Sequence, residues 1–141
     1  MHSKKQVLIL CTGNSCRSIM AEAMINAQLG GCMEAQSSGV RASGRVNPHA
    51  QALLESRGEW RETYHSKVIE EVLHTPFDLV VTVCDHAKET CPVFPHAVKH
   101  IHIGFEDPSG KAVEKYEETY ELMKRELLPK IKEILCRQGG D

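Results

Sequence analysis

Gln6-Val7-Leu8-Ile9-Leu10-Cys11-Thr12-Gly13-Asn14-Ser15-Cys16-Arg17-Ser18 joins an apolar run to a polar loop, and the stretch from Ser18 to Leu29, closed by Gly30-Gly31, carries apolar residues at helical spacing. The run Gln6–Leu10 has the unbroken apolar character of a parallel strand buried on both faces. Glycines directly after a helical pattern mark its end. Strand, loop and helix in this order predict the opening of a βαβ unit, whose first loop stands at the carboxyl edge of the sheet, where such domains hold their ligands.

The rest of the chain continues the alternation. Met33–Ser37 reads as a weaker strand, Gly39–Gly44 as a turn-rich connection, and Asn47-Pro48 as an N-cap followed by the proline favoured at a first helical position. The helix so started is predicted to run to Arg57, with Gly58 as its stop. Ser66 is expected to cap a short third helix through Leu73, Pro76 to break the chain, and Asp78–Val83 to form the most strand-like run. Val98–Ile103 is the last predicted strand, with His100 and His102 on one face. From Lys111 to Cys136, Val113, Tyr116, Tyr120, Met123, Leu127, Ile131 and Ile134 recur every three or four residues, so a long terminal helix should cover the sheet, kinked at Pro129. The expected fold is α/β: a three-layer αβα domain over residues 1–141 with a four-stranded parallel sheet in the order 2-1-3-4 and right-handed crossovers.

Composition narrows the function classes. The 141 residues are 41% hydrophobic and 26% charged with a formal net charge of -2, so no basic surface recruits nucleic acid. The longest apolar stretches, Val7–Cys11 and Leu79–Val83, fall far short of the ~20 residues needed to span a bilayer, and Met1–Lys5 lacks a signal-peptide layout. A cytoplasmic monomer is expected. Six cysteines then call for a disulfide framework, a metal site or thiol chemistry. The pairs Cys11/Cys16 and Cys84/Cys91, with His86 nearby, are spaced more widely than the usual zinc knuckles, and no metal or tightly bound cofactor is expected.

The loop Cys11–Ser18 is the strongest chemical signal. A thiol, five intervening residues and an arginine let the backbone curl around a tetrahedral oxyanion with its N–H groups inward, and Gly13 and Asn14 tolerate the left-handed dihedrals of such a curl. Arg17 can grip two oxygens at once. Thr12, Gly13, Asn14, Ser15, Cys16, Arg17 and Ser18 are therefore the expected oxyanion-binding residues, and Cys11 the nucleophile. The helix N-terminus and Arg17 both favour negative charge, so Cys11 is expected as a thiolate near neutral pH, with a further hydrogen bond from the Ser18 hydroxyl.

Cys11–Ser18 followed by Met20-Ala21-Glu22 resembles the low-molecular-weight tyrosine phosphatase superfamily over nearly the whole chain. That resemblance implies a general acid in an Asp-Pro after the last strand, matched here by Asp107-Pro108. Read locally, the same two residues equally suit a turn before a helix.

The cradle cannot tell arsenate from phosphate, which share shape and charge, so the rest of the chain must decide. A phosphatase needs one thiol, whereas reducing arsenate takes two electrons, and a second thiol must attack the Cys11 sulfur to expel arsenite. Cys84, at the end of the third predicted strand, falls on the same sheet edge as Cys11, and the order 2-1-3-4 makes the two strands neighbours. Val81–Pro92 resembles the thioredoxin-coupled arsenate reductases, whose second and third redox cysteines also flank six residues. The resemblance implies that Cys91 accepts the disulfide from Cys84, that thioredoxin is the reductant, and that the role is arsenic detoxification. Ser109-Gly110-Lys111 stands where tyrosine phosphatases carry tyrosines. Cys16 remains a rival partner for Cys11, while Cys32 and Cys136 look incidental. If Asp85–Thr90 is helical, Cys84 and Cys91 lie about 10 Å apart along its axis, so that segment must unwind for them to bond.

Some relatives hold a monovalent cation near the anion loop, and Asn14, Glu22 and Ser37 match its ligands, but the aspartate position is Lys67, expected either to replace the cation with its ammonium or to be a solvated charge at a helix start. His86 is expected either to tune Cys84 or to face water, and Trp60 and Tyr64 to line the mouth of the site. A tyrosine phosphatase and a redox or arsenic-sensing protein are the competing functions.

Overall fold

The computed structural model describes residues 4–91, 94 and 97–136. Its elements are β1 (Lys5–Cys11), α1 (Arg17–Gln28), β2 (Met33–Gly39), α2 (Pro48–Ser56), β3 (Leu79–Thr82), α3 (Asp85–Thr90), β4 (Lys99–His102), α4 (Val113–Glu126) and α5 (Leu128–Leu135). The four strands form one parallel sheet in the order β2-β1-β3-β4, as the alternation predicts. β1 lies at its centre, and Val7, Leu8, Ile9 and Leu10 are fully buried, which is why that strand is apolar without a break. No helix among the described residues is long and apolar enough to cross a membrane.

α1 is buried from Ser18 to Asn26, packed on β1 and β2 and against α2 and α4. α2 starts as its sequence demands: the Asn47 side chain accepts hydrogen bonds from the His49 and Ala50 amides, with Pro48 in the first turn. The terminal helix is two helices meeting at Leu127, with Pro129 in the first turn of α5; proline removes an amide the continuous helix would need. Tyr116, Tyr120, Met123, Leu127 and Ile131 are buried along its seam, whereas Val113 is exposed. The Tyr116 and Tyr120 hydroxyls end on Asn47 and on Glu59 and Gln28, tying α4 to the start of α2, to the turn beyond its end and to the end of α1.

Two expectations change. The helix predicted from Ser66 to Leu73 is only a 3-10 turn at Ile69–Glu71, because the chain there is committed to β2: the Gly39 amide donates to the Lys67 carbonyl, and Gly39 bridges Val68. Cys32 and Cys136 are not incidental. They form a disulfide across 104 residues, joining the lead-in to β2 to the end of α5. Nothing in local spacing signals such a bond, which arises only when α5 docks beside that end of the sheet.

Candidate active site

The anion loop is shaped from outside. The connection after β2 donates its amides to the loop carbonyls: Val40 to Cys11, Arg41 to Thr12, Ser43 to Gly13 and Asn47 to Ser15. The Ser66 hydroxyl adds a second bond to the Gly13 carbonyl. With the carbonyls engaged outward, the peptide N–H groups are left for the concave side, the requirement for an anion nest; the Thr12 amide already donates to the Cys11 sulfur. This packing needs Gly39 at the end of β2, where a Cβ would stand 2.4 Å from the Thr12 carbonyl oxygen.

Of the two residues expected to adopt left-handed dihedrals, only Asn14 does, at φ 51. Its side chain holds it there. Asn14 Nδ2 donates to Ser18 Oγ (2.8 Å) and Ser37 Oγ (2.9 Å), and Oδ1 accepts from the Lys67 amide (2.8 Å). Ser37 in turn donates to Glu22 Oε1 at 2.6 Å, and Glu22 Oε2 lies 4.0 Å from Lys67 Nζ, which closes a ring of buried groups. Burial pushes the Glu22 carboxyl up to about 7 against the opposing pull of Lys67 and Ser37. The four positions matched to a cation site thus converge, and the Lys67 ammonium faces the Glu22 carboxylate there. Ser18 Oγ accepts from Asn14 Nδ2 and keeps its own O–H to donate, while the side chain that acts most on the Cys11 thiol comes from the end of β3.

That group is Cys84. β1 and β3 are neighbours, so Cys11 and Cys84 leave the same edge side by side, close enough for each thiol to shift the titration of the other. Cys84 is pulled down to about 5 by the Cys11 thiol, then by the Thr12 hydroxyl 3.1 Å away and by the Ala87 amide at the start of α3. Cys11 is pushed up by the Cys84 thiol and by burial, with Arg17 and the Thr12 amide opposing. The two thiols titrate as one coupled pair, whose charge is drawn toward Cys84 by the Thr12 hydroxyl and the Ala87 amide and toward Cys11 by Arg17 and the Thr12 amide. Burial and the nearby Asp107 charge raise Cys16 to about 12, leaving it a thiol hydrogen-bonded to Ser109.

Arg17 crosses to the loop after β4, donating to the Phe105 carbonyl (2.9 Å) and lying 3.5 Å from Asp107 Oδ2. Asp107 also accepts from the Ser109 amide, and its contact with Arg17 brings the Asp-Pro turn against the anion loop. Between them lies a cleft of about 490 Å3 bordered by Arg17, Cys84, Asp85, His102, Phe105 and Asp107. Cys91 stands at the other end of α3, half-buried, its thiol raised by burial. Trp60 and Tyr64 do not line this mouth. They pack edge to face, and the Tyr64 hydroxyl accepts from Asn26 on α1. His86 is exposed on α3. Sequence reasoning gave no site role to Gly39, to His102 or to a Thr12–Cys84 bond; only Gly39 carried a signal, a glycine ending a strand where another backbone approaches.

Residues 6–138 match the low molecular weight phosphotyrosine protein phosphatase family. An arsenate reductase of Brevibacillus brevis is 43% identical over 111 residues, 79% of this chain and 82% of that protein. Among solved structures, the low molecular weight protein tyrosine phosphatase of T. tengcongensis superposes with a TM-score of 0.80 at 30% identity, covering 94% of this chain and 100% of the other. A thioredoxin-dependent arsenate reductase of Corynebacterium glutamicum reaches 0.70 at 25% identity, covering 92% of this chain and 62% of its own.

Proposed function

The chain belongs to the low molecular weight phosphotyrosine protein phosphatase family, and from that footing we propose that it reduces arsenate to arsenite through Cys11, Cys84 and Cys91, with thioredoxin as reductant. The observation that carries the reading is the placement of Cys84 beside the anion loop, where β3 pairs with β1 and the Cys84 sulfur lies 3.1 Å from Thr12 Oγ1, a second thiol that phosphate-ester hydrolysis does not require.

Arsenate enters the loop and exchanges the Asp107 contact for its own oxygens on Arg17. With the pair's proton on Cys84, the Cys11 thiolate, held by Arg17 and the Thr12 amide, attacks arsenic. An S–As bond forms as Asp107 protonates the departing oxygen, which leaves as water. Cys84, its proton passed to an arsenic-bound oxygen, then attacks Cys11 Sγ from beside Thr12 and the Ala87 amide. The S–S bond forms, the S–As electron pair passes to arsenic, and As(V) leaves as As(III) arsenite. Cys91 attacks Cys84, releasing the Cys11 thiolate, and thioredoxin's dithiol reduces the Cys84–Cys91 disulfide. Relatives named arsenate reductase and a thioredoxin-dependent structural neighbour support this reading.

Hydrolysis of phosphate esters by the same nucleophile and acid is a second reading, favoured by the likeness to a tyrosine phosphatase, and is expected as a side activity. The deciding experiment is NADPH- and thioredoxin-coupled arsenate turnover for wild type and for Cys11→Ser, Cys84→Ser and Cys91→Ser. All three substitutions should abolish it. Loss in Cys11→Ser alone would sink the relay, and no turnover in wild type would favour an oxyanion sensor.

A further inference from the structure

Both ends of α3 are fastened to β4. At its start Asp85 Oδ1 lies 3.0 Å from His102 Nε2, whose other nitrogen, Nδ1, lies 2.8 Å from Thr82 Oγ1 on β3. A ring with its proton on Nε2 satisfies both, donating to the carboxylate and accepting from the hydroxyl. At the far end of α3, Cys91 Sγ lies 3.8 Å from His100 Nδ1. Phe94 packs against the same His100 ring, with centroids 5.7 Å apart. The two histidines are two residues apart on one strand and so project to the same side. Room for the first fastening is built into the backbone, since a Cβ on Gly104 would stand 3.2 Å from His102 Nε2 and 3.6 Å from Asp85 Oδ1.

Resting on the relay proposed above, we infer that His102 and His100 are positioning residues that clamp α3 in its helical form and keep Cys84 beside Cys11 and apart from Cys91 until the Cys11–Cys84 disulfide exists. A helix as short as Asp85–Thr90 is not stable by itself, and Ala87 is its one buried residue, so its fastenings decide whether it persists. While helical, it separates Cys84 from Cys91 by about 10 Å along its axis, beyond the roughly 7 Å that a disulfide permits between Cα atoms. The exchange step needs that distance closed. Cys91 thiolate must reach Cys84 Sγ, forming the Cys84–Cys91 bond as the Cys11–Cys84 bond breaks and Cys11 leaves as thiolate, with no net change in electrons. Thiol exchange so moves Cys91 away from His100, and the unwinding of the first turn moves Asp85 away from His102.

The test compares wild type with His102→Leu, His102→Gln and His100→Leu, reading two quantities on the full chain. The first is hydrogen exchange of residues 85–90 in the reduced protein. The second is arsenate-free formation of the Cys84–Cys91 bond, in which oxidised dithiothreitol takes two electrons and two protons from the thiols. His102→Leu should raise both rates about fivefold, the scale of one partly exposed ion pair, and His100→Leu should raise them less. His102→Gln, which keeps an amide donor near the Nε2 position, should restore most of the protection. Hydrogen exchange across β1 and α1 should keep its wild-type rate, which separates the clamp from general loosening. If His102→Leu lowers the unfolding midpoint of the whole domain, His100→Leu, on an exposed position, carries the test. Unchanged exchange in both leucine variants would overturn the clamp. Arsenate turnover by wild type without any Cys84–Cys91 bond would instead overturn the relay and, with it, the positioning role of the two histidines.

Discussion

The anion loop and α3 carry two halves of one reaction and are built in opposite ways. The loop's carbonyls are taken up by the connection after β2, its one left-handed residue, Asn14, is locked by Ser18, Ser37 and the Lys67 amide, and those groups are buried. α3 buries one residue and is fastened at its two ends to the edge strand β4. A site that must meet a charged transition state gains from groups that need no rearrangement. Thiols that must change partners need a segment whose local opening costs little.

Cys84→Ser separates the two regions most sharply. Thioredoxin-coupled arsenate turnover should fall at least about a thousandfold, while hydrolysis of an aryl phosphate, which uses Cys11, Arg17 and Asp107, should fall less than about tenfold. The pH midpoint of Cys11 alkylation should move down, because the thiolate that raises it is gone. Parallel loss of both activities would mean that the halves are not separable.

Asn14→Ala strikes the rigid half. It leaves Ser18, Ser37 and the Lys67 amide short of a partner and puts alanine at φ 51, a combination expected to cost about 3 kcal/mol in urea unfolding. Asn14→Gly, free of the dihedral penalty, should lose less; equal losses would show that the hydrogen bonds alone hold the loop.

Glu22 should leave a signature in pH. Its folded pKa, about 7, lies above its ordinary value of 4.5, so the folded state holds the proton more tightly than the unfolded chain. This contribution is complete below pH 4.5 and is lost as pH rises to about 7, a fall of roughly 3 kcal/mol. Glu22→Gln should flatten that slope in urea midpoints taken at pH 5 and 7.5. An unchanged slope would place the titration elsewhere.

The smallest effect should be none: arsenate turnover in potassium chloride and in sodium chloride of equal ionic strength should agree, since Lys67 already supplies the charge facing Glu22. Marked activation by potassium would break the account of the ring.

What the chain discloses by itself is whatever local pattern controls. The apolar run Val7–Leu10, the cap at Asn47-Pro48 and the period of Tyr116, Tyr120 and Met123 determine the elements, and alternation determines the parallel sheet. The spacing from Cys11 to Arg17 marks the oxyanion loop for the same reason: a tight curl uses consecutive residues. Tertiary structure decided the rest, because those properties belong to groups far apart in sequence. Lys67 meets Glu22, Cys136 meets Cys32, and His102 meets Asp85 only once the sheet is assembled. The charge on Cys11 is of this kind as well. The loop alone argues for a thiolate there, but a proton between two thiols goes where the sum of neighbours sends it, and Cys84 arrives with its own hydroxyl and amide donors from Thr12 and α3.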